Sequence, residues 1–170
     1  MKKIIAIVLI SILVLSSMCA FAATYRHDDI TFQYDETAFD IEMDDHTDDE
    51  DLVILTGKNE AWGNTYIRIH LADLDDGGHF PTKDEFTPLA DVEVTQGEWN
   101  VYKDVFMYTI NDEDGTVDSF FIAPVVDDDD GEVEDILTVE ICVSKIEDED
   151  VAMGRDDLIS EVVDSLKVDD

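Results

Sequence analysis

The sequence predicts an α+β domain: an antiparallel β-sheet of about six to eight strands, with a short helix and a C-terminal amphipathic helix packed on one face. Two observations lead to this fold class. After the N-terminus, most apolar residues recur with a period of two, which is typical of strands covered on one side, and turn residues separate these stretches. A strong helical period appears only near the C-terminus.

The N-terminus has the features of a Sec signal peptide. A pair of lysines precedes an apolar run over residues 4–15, which is shorter than the ~20 residues that a membrane-spanning helix needs. The run leads to Ala20-Phe21-Ala22, the small-residue pattern that signal peptidase recognises. We predict cleavage of residues 1–22 between Ala22 and Ala23, which leaves residues 23–170 as a single domain.

Two alternatives to cleavage are an uncleaved N-terminal anchor and a lipoprotein attached through Cys19. The apolar run is too short to span a membrane, which argues against an uncleaved anchor. A lipobox needs a small residue directly before the cysteine, and Met18 occupies that position. The pattern therefore favours an exported protein with no membrane attachment after cleavage.

The predicted mature domain is very acidic. Cleavage removes two of the 10 lysines and arginines and none of the 44 acids, which leaves a net formal charge near −36. Nucleic acids and anionic membranes bind cation-rich surfaces, so the charge excludes both as partners. The aromatic residues and clear strand patterns argue against disorder. Because Cys142 is the only cysteine that remains, no intrachain disulfide is expected.

The strands follow from the alternation of apolar and polar residues. The apolar members of the three clearest strands are Ile30, Phe32 and Tyr34; Ile67, Ile69 and Leu71; and Leu137, Val139, Ile141 and Val143. Residues 39–44 and 51–58 are weaker candidates. Residues 101–110 and 116–126 form a meander with the strand that follows, because acidic turns ending in Gly115 and Gly131 separate them.

Two segments show helix signals. Thr82 and Glu85 match a capping box after Pro81, and Pro88 limits that helix to about one or two turns. The C-terminal helix is better defined, because it has a sustained apolar face. The residues of that face are Leu158, Ile159, Val162, Val163 and Leu166.

Three features of the chain resemble the PsbP/Mog1-type domains. They are the opening Ile30-Thr31-Phe32-Gln33-Tyr34-Asp35, a short helix before the meander, and the closing Leu158…Val162-Val163-Asp164-Ser165-Leu166-Lys167-Val168. The similarity spans residues 25–168, with Asp35 and Phe39 where the family commonly has Pro and Trp. The resemblance implies a small, secreted, non-enzymatic accessory or binding domain, and it supplies no catalytic residues.

Acidic turns are the main candidates for a cation site. Ca²⁺ takes six to eight oxygen ligands, which turn carboxylates and backbone carbonyls provide. An EF-hand loop needs an acid at its first position, and aligning either turn glycine puts Ile110 or Val126 there. The hypothesis that remains is a non-EF calcium site, and a solvated acidic surface is the favoured alternative. The candidate ligands are Asp127, Asp129 and Glu132.

The histidines and one tryptophan complete the candidates for binding. His27, His46, His70 and His79 show no zinc-type spacing, and we interpret them as surface residues. His46 and His79 lie beside acids, so an opportunistic metal contact is the alternative for these two. Trp62 is flanked by glycines and asparagines in a loop-like setting. It is a candidate for ligand contact, with packing against the sheet edge as the alternative.

No catalytic motif is present. The serines of the mature domain lie outside G-x-S-x-G, and Cys142 is expected to be a quiet thiol within a strand. The sequence thus predicts a non-enzymatic accessory or binding domain without a cofactor, whose partner is a divalent cation or a basic protein surface. The alternatives are an extracellular hydrolase that uses carboxylates and a structural protein of the cell surface.

Overall fold

A computed structural model of the chain describes residues 22–27, 29–47, 49–74, 79–86, 92–127 and 131–168. The described residues form ten strands, one 3₁₀ turn at Glu60–Trp62 and one α-helix, which confirms the α+β class. The strands are β1 (Ala22–His27), β2 (Ile30–Asp35), β3 (Phe39–His46), β4 (Glu50–Gly57), β5 (Thr65–Asp73), β6 (Thr95–Trp99), β7 (Tyr102–Asn111), β8 (Thr116–Val126), β9 (Val133–Ser144) and β10 (Lys167–Val168). The helix, α1, is Glu149–Ser165.

The larger sheet has seven antiparallel strands in the order β3-β4-β5-β9-β8-β7-β6. It consists of two meanders, β3 to β5 and β6 to β9. They are joined where β5 pairs with β9 in the register Ile69↔Val139. The predicted central meander is therefore confirmed.

The sequence predicted one sheet, and this was wrong, because the strands divide between two. The smaller sheet has three strands in the order β1-β2-β10, with β1 paired along its whole length with β2. Ile30 and Phe32 of β2 are fully buried, as are Ile67 and Ile69 of β5. The apolar side chains of both sheets belong to one core cluster. The two sheets together therefore bury apolar side chains that a single sheet would leave exposed.

Helix α1 begins at an acidic cap and ends against a hairpin turn. The side chain of Asp148 accepts hydrogen bonds from the amides of Asp150 and Val151, and Ile159 and Val162 join the core cluster. At the other end, the side chain of Asn100 donates to the carbonyl of Leu166 at 2.9 Å. No helix in the described residues is long and apolar enough to span a bilayer.

The helix predicted at Thr82 is a single turn in the described residues. The Glu85 carboxylate accepts hydrogen bonds from both the amide and the hydroxyl of Thr82. The bond from the amide is one half of a capping box; in the other half the Thr82 hydroxyl would accept from the Glu85 amide, whereas here it donates to the carboxylate. The amides of Glu85 and Phe86 bond back to the Thr82 carbonyl. Pro88 lies outside the described residues, as do its neighbours from 87 to 91.

Candidate functional site

The predicted calcium turn is closed by its backbone. The amide of Asp127 donates to the carbonyl of Glu132 at 2.9 Å, and the amide of Gly131 donates to the carbonyl of Asp127 at 3.0 Å. These bonds join β8 to β9. Asp129 lies outside the described residues, so the calcium site stays a prediction.

Trp62 lies in the core. Its side chain is 5 % exposed, and its ring centre is 5.7 Å from that of Phe39. The neighbouring Gly57 leaves room for it, because a Cβ there would lie 2.8 Å from the indole ring. The indole ring thus packs in the core, and contact with a ligand would require Trp62 to leave the core.

The predicted cleavage point falls at the start of β1. Residues 1–21 lie outside the described residues, and Ala22 is the first residue of the strand, paired with Asp35. Cleavage between Ala22 and Ala23 would leave the pairing of Ala23 with Tyr34 and all later pairs of β1 in place.

A cluster of polar side chains lies where β3 turns into β4. His46 and Asp51 are register partners across this hairpin, and His46 Nδ1 lies 2.5 Å from Asp51 Oδ1. The other ring nitrogen, Nε2, lies 2.6 Å from Oδ1 of Asp44. The imidazole is therefore held between two carboxylates, and its side chain is only 15 % exposed.

The smaller sheet adds a second imidazole to this cluster. The ring of His27, at the end of β1, stacks on that of His46 with centroids 3.4 Å apart and planes inclined by 10°. His27, His46 and Asp51 each offer one metal-ligand atom, and the three atoms lie within 4.8 Å of one another. Two imidazoles and a carboxylate are ligands that divalent transition metals prefer.

Tyr25, two residues before His27, supports the cluster from the core. Its hydroxyl donates to Asp44 Oδ1 at 2.5 Å and lies 3.1 Å from His46 Nε2, while its ring stacks on Phe32. The bond from Tyr25, followed by contacts with His46, lowers the pKa of Asp44. Burial alone would lower the pKa of His46, but hydrogen bonds to Asp51 and Asp44 and their charges outweigh it and raise that pKa.

An acidic pocket adjoins the cluster and shares Asp51 with it. The cavity has a volume of about 420 Å³. It is formed by the ends of β4, β5 and β9 and by residues next to β2 and β3. Its lining residues are Asp29, Thr47, Glu50, Asp51, Leu71, Asp73 and Asp135. Five acidic residues thus line one small space.

Two of these carboxyls form a pair. Asp73 and Asp135 are register partners at the ends of β5 and β9, and their side chains share a hydrogen bond. Two carboxyls bond in this way only when one keeps its proton. Burial, then the bond to Asp73, then the charges of Asp73, Glu134 and Asp29 raise the pKa of Asp135 to about 6.

The thiol of Cys142 is poorly suited to nucleophilic chemistry. Cys142 is 2 % exposed in β9, and its sulfur contacts Asn64. Burial, followed by the neighbouring Asp118, raises the pKa of the thiol to about 12. The thiolate that a nucleophile needs is thus not formed near neutral pH.

Sequence reasoning missed the His27–His46–Asp51 cluster for a physical reason. The pairing of His46 with Asp51 could be predicted locally, because His46 ends β3 and Asp51 lies near the start of β4 in the same hairpin. His27 approaches from a different sheet, and no spacing along the chain encodes that approach. Asp73 and Asp135 were visible only as members of acidic runs, because their pairing depends on the β5–β9 register.

Comparison of the chain with family models, curated proteins and solved structures finds no match. The resemblance to PsbP/Mog1-type domains therefore stays a prediction. The geometry of the described residues is the basis for any assignment of function.

Proposed function

We propose that the chain is an exported, non-enzymatic binding domain of the PsbP/Mog1-like type, with α1 laid on the apolar face of the sheet, and that its acidic pocket holds a cationic group. The observation that supports this most directly is that five acidic residues line a cavity of about 420 Å³. The cationic group is a divalent ion or a lysine or arginine side chain of a basic partner.

The electrostatics of the pocket favour a cation. Like charges at close range disfavour ionisation, and the hydrogen bond and charge of Asp73 are among the causes that raise the pKa of Asp135. A bound cation would let both carboxyls ionise and would supply the attraction that neighbouring acids cannot. The domain as a whole attracts cations as well, since the chain carries a formal charge of −34.

The two kinds of cation differ in what they require. Mg²⁺ and Ca²⁺ bind oxygen ligands, and a Ca²⁺ site uses six to eight of them. A lysine or arginine side chain needs only two or three acceptors, but it must reach the cavity from a partner's surface. Export, which the signal peptide predicts, would place the domain where Ca²⁺ and extracytoplasmic proteins are its available ligands.

Thermal melts of the purified protein test this proposal. We expect Ca²⁺ or Mg²⁺ to raise the melting temperature above the value in NaCl of matched ionic strength, because ligands that bind only the native state stabilise it. The variant D73N/D135N should lose this increment, and the control D112N/E113Q, which removes two exposed turn acids, should keep it. In a parallel series of melts, a basic peptide replaces the divalent ions.

The outcomes separate the predicted sites. If D127N/D129N/E132Q loses the increment and the pocket variant keeps it, the cation binds at the turn between β8 and β9. If all cations and the peptide act like NaCl at equal ionic strength, the pocket binds no cation and the proposal is wrong. The mass of the exported protein tests cleavage, which should leave Ala23 as the first residue.

A second function is favoured by the carboxyl pair itself. In a pair that shares one proton, the ionised carboxylate can take a proton from water while the protonated carboxyl donates one to a carbonyl oxygen. With Asp73 as the base and Asp135 as the acid, the pocket would hydrolyse peptide bonds. Cleavage of an unstructured protein such as casein, lost in D73N and kept in D112N, would support this function over binding alone.

A further inference from the structure

We propose that His27, His46 and Asp51 bind one divalent transition-metal ion with the ligand preferences of Zn²⁺. The three residues come from the ends of β1, β3 and β4, and their ligand atoms lie within 4.8 Å of one another. This site goes beyond the proposed pocket function: it shares Asp51 with the pocket and needs no cation in the cavity.

The present distances describe a hydrogen-bonded cluster, and metal binding would widen it. His46 Nδ1 and Asp51 Oδ1 are 2.5 Å apart, with a proton between them. Two ligands on a tetrahedral ion, each at about 2.0–2.1 Å, stand roughly 3.3 Å apart. The ion therefore replaces the proton, which leaves to solvent, and the ring and the carboxylate separate by less than 1 Å.

His27 must also turn to become a ligand. Its ring lies parallel to that of His46, with the centroids 3.4 Å apart. The lone pairs of two parallel rings lie in parallel planes, whereas the lone pairs of two ligands of one ion must point to the same atom. Metal binding therefore requires the His27 side chain to rotate until its nitrogen points toward the ion.

The surroundings of His46 match those of a metal-binding histidine. Such a histidine donates its second ring N–H to a carboxylate or carbonyl, which fixes the ring and its tautomer. Here Nε2 faces Asp44 Oδ1 at 2.6 Å, and the Tyr25 hydroxyl holds the same oxygen at 2.5 Å. Asp44 and Tyr25 are thus positioning residues, and they leave Nδ1 as the atom that faces Asp51.

The ligand types select the class of metal. Two imidazole nitrogens and one carboxylate oxygen suit Zn²⁺ and its neighbours in the transition series, whereas Ca²⁺ and Mg²⁺ prefer oxygen alone. Three protein ligands leave a tetrahedral ion one open position for water or for a group on a partner. The other acids of the adjoining pocket raise the local concentration of cations without acting as ligands.

Zn²⁺ titration in excess Mg²⁺ tests the proposal, because Mg²⁺ occupies the many carboxylates that bind Zn²⁺ without specificity. We expect one Zn²⁺ per chain by calorimetry, lost in H27Q and in H46Q. The matched control is H70Q, since His70 lies in β5 and pairs with Glu50 outside the cluster. D44N should keep the stoichiometry and weaken the affinity about 10- to 100-fold.

Histidine NMR spectra of the unaltered protein give a second measurement that needs no variant to fold. Zn²⁺ should shift the ring signals of His27 and His46 and leave those of His70 and His79 in place. Equal Zn²⁺ binding by H27Q and H70Q, or shifts spread evenly over the four histidines, would overturn the proposal. H27Q keeps every pocket carboxyl, so its response to Ca²⁺ and Mg²⁺ reports on the pocket function separately.

Discussion

Asp135 is a carboxyl placed in a pocket that already holds four others. Its pKa is raised from 3.8 to about 6 in the folded chain. Between these two pH values the folded state binds more protons than the unfolded state. The stability that the protonated side chain contributes is therefore complete at low pH and is lost as the pH rises through about 6.

We expect D135N to be more stable than the unaltered protein at about pH 7.5 and equal to it near pH 4. Asn cannot ionise and can still bond Asp73. After an allowance for solvent screening, the gain should be about 1 kcal/mol in the free energy of unfolding. Urea unfolding at both pH values measures it. D112N, which removes a charge from an exposed turn, is the control, and a gain of equal size in D112N would mean that net charge rather than the carboxyl pair is responsible.

Arg155 is the opposite case, a buried cation with one acidic partner. It is 5 % exposed, its Nη1 donates to the Ser144 carbonyl at 2.7 Å, and its Nε donates to Asp156. We expect R155M to lower the free energy of unfolding by about 1–3 kcal/mol, because the half-buried Ser144 carbonyl loses its donor. R68Q removes an exposed cation that lies 3.6 Å from Glu140, and it should cost less than ~1 kcal/mol. Similar losses in the two variants would contradict the role given to Arg155.

Single residues show where sequence patterns fail. The alternation of β9 places Cys142 on the polar side, yet Cys142 is buried and Ile141 is only half-buried. Near Cys142 the strand borders Asn64, which follows the 3₁₀ turn and contacts the Cys142 sulfur. A period of two predicts which residues share a face, but the loops that cover the face come from elsewhere in the chain.

At the scale of elements, one side chain joins the β6–β7 turn to the end of α1. Asn100 has a φ of 54°, and its amide donates to the carbonyls of Val163 and Leu166 at 3.3 and 2.9 Å. The last turn of α1 has no basic residue to offset its dipole. The amide of Asn100 thus supplies donors that the helix itself lacks.

Substitutions at Asn100 separate the side chain from the backbone. N100G keeps the positive φ at no steric cost and should lose about 1–2 kcal/mol of unfolding free energy with the two bonds. N100A loses the same bonds and adds strain of about 1 kcal/mol. Chemical denaturation of both variants measures these losses. If N100G is as stable as the unaltered protein, the amide does not cap the helix.

The elements themselves were largely predictable. β2, β5, β8 and β9 and the C-terminal helix follow from local periodicity and turn residues, which act within one segment. β1 and β10 were missed because β1 overlaps the predicted signal peptide boundary and β10 has only two residues. Both depend on pairing with β2, which is a tertiary contact.

For the whole molecule, the division into two sheets could not be predicted, and the site depends on that division. A one-sheet arrangement puts His27 on a strand with no fixed relation to the β3–β4 hairpin. In the two-sheet arrangement its ring stacks on His46. The acidity was evident from composition, but the convergence of five carboxyls on one cavity required the fold.

The net charge leads to a prediction for the whole molecule. Self-repulsion opposes compact states, and it acts over ~30 Å at 0.01 M salt but only ~3 Å at 1 M. We therefore expect the melting temperature to rise between these concentrations in both NaCl and KCl; sulfate is avoided because it strengthens apolar burial. The variant E98Q/D112N/E113Q/D157N removes four exposed acids and should show a smaller rise. Equal melting temperatures at low and high salt would mean that the acids are already neutralised, by protons or by bound cations, in the folded protein.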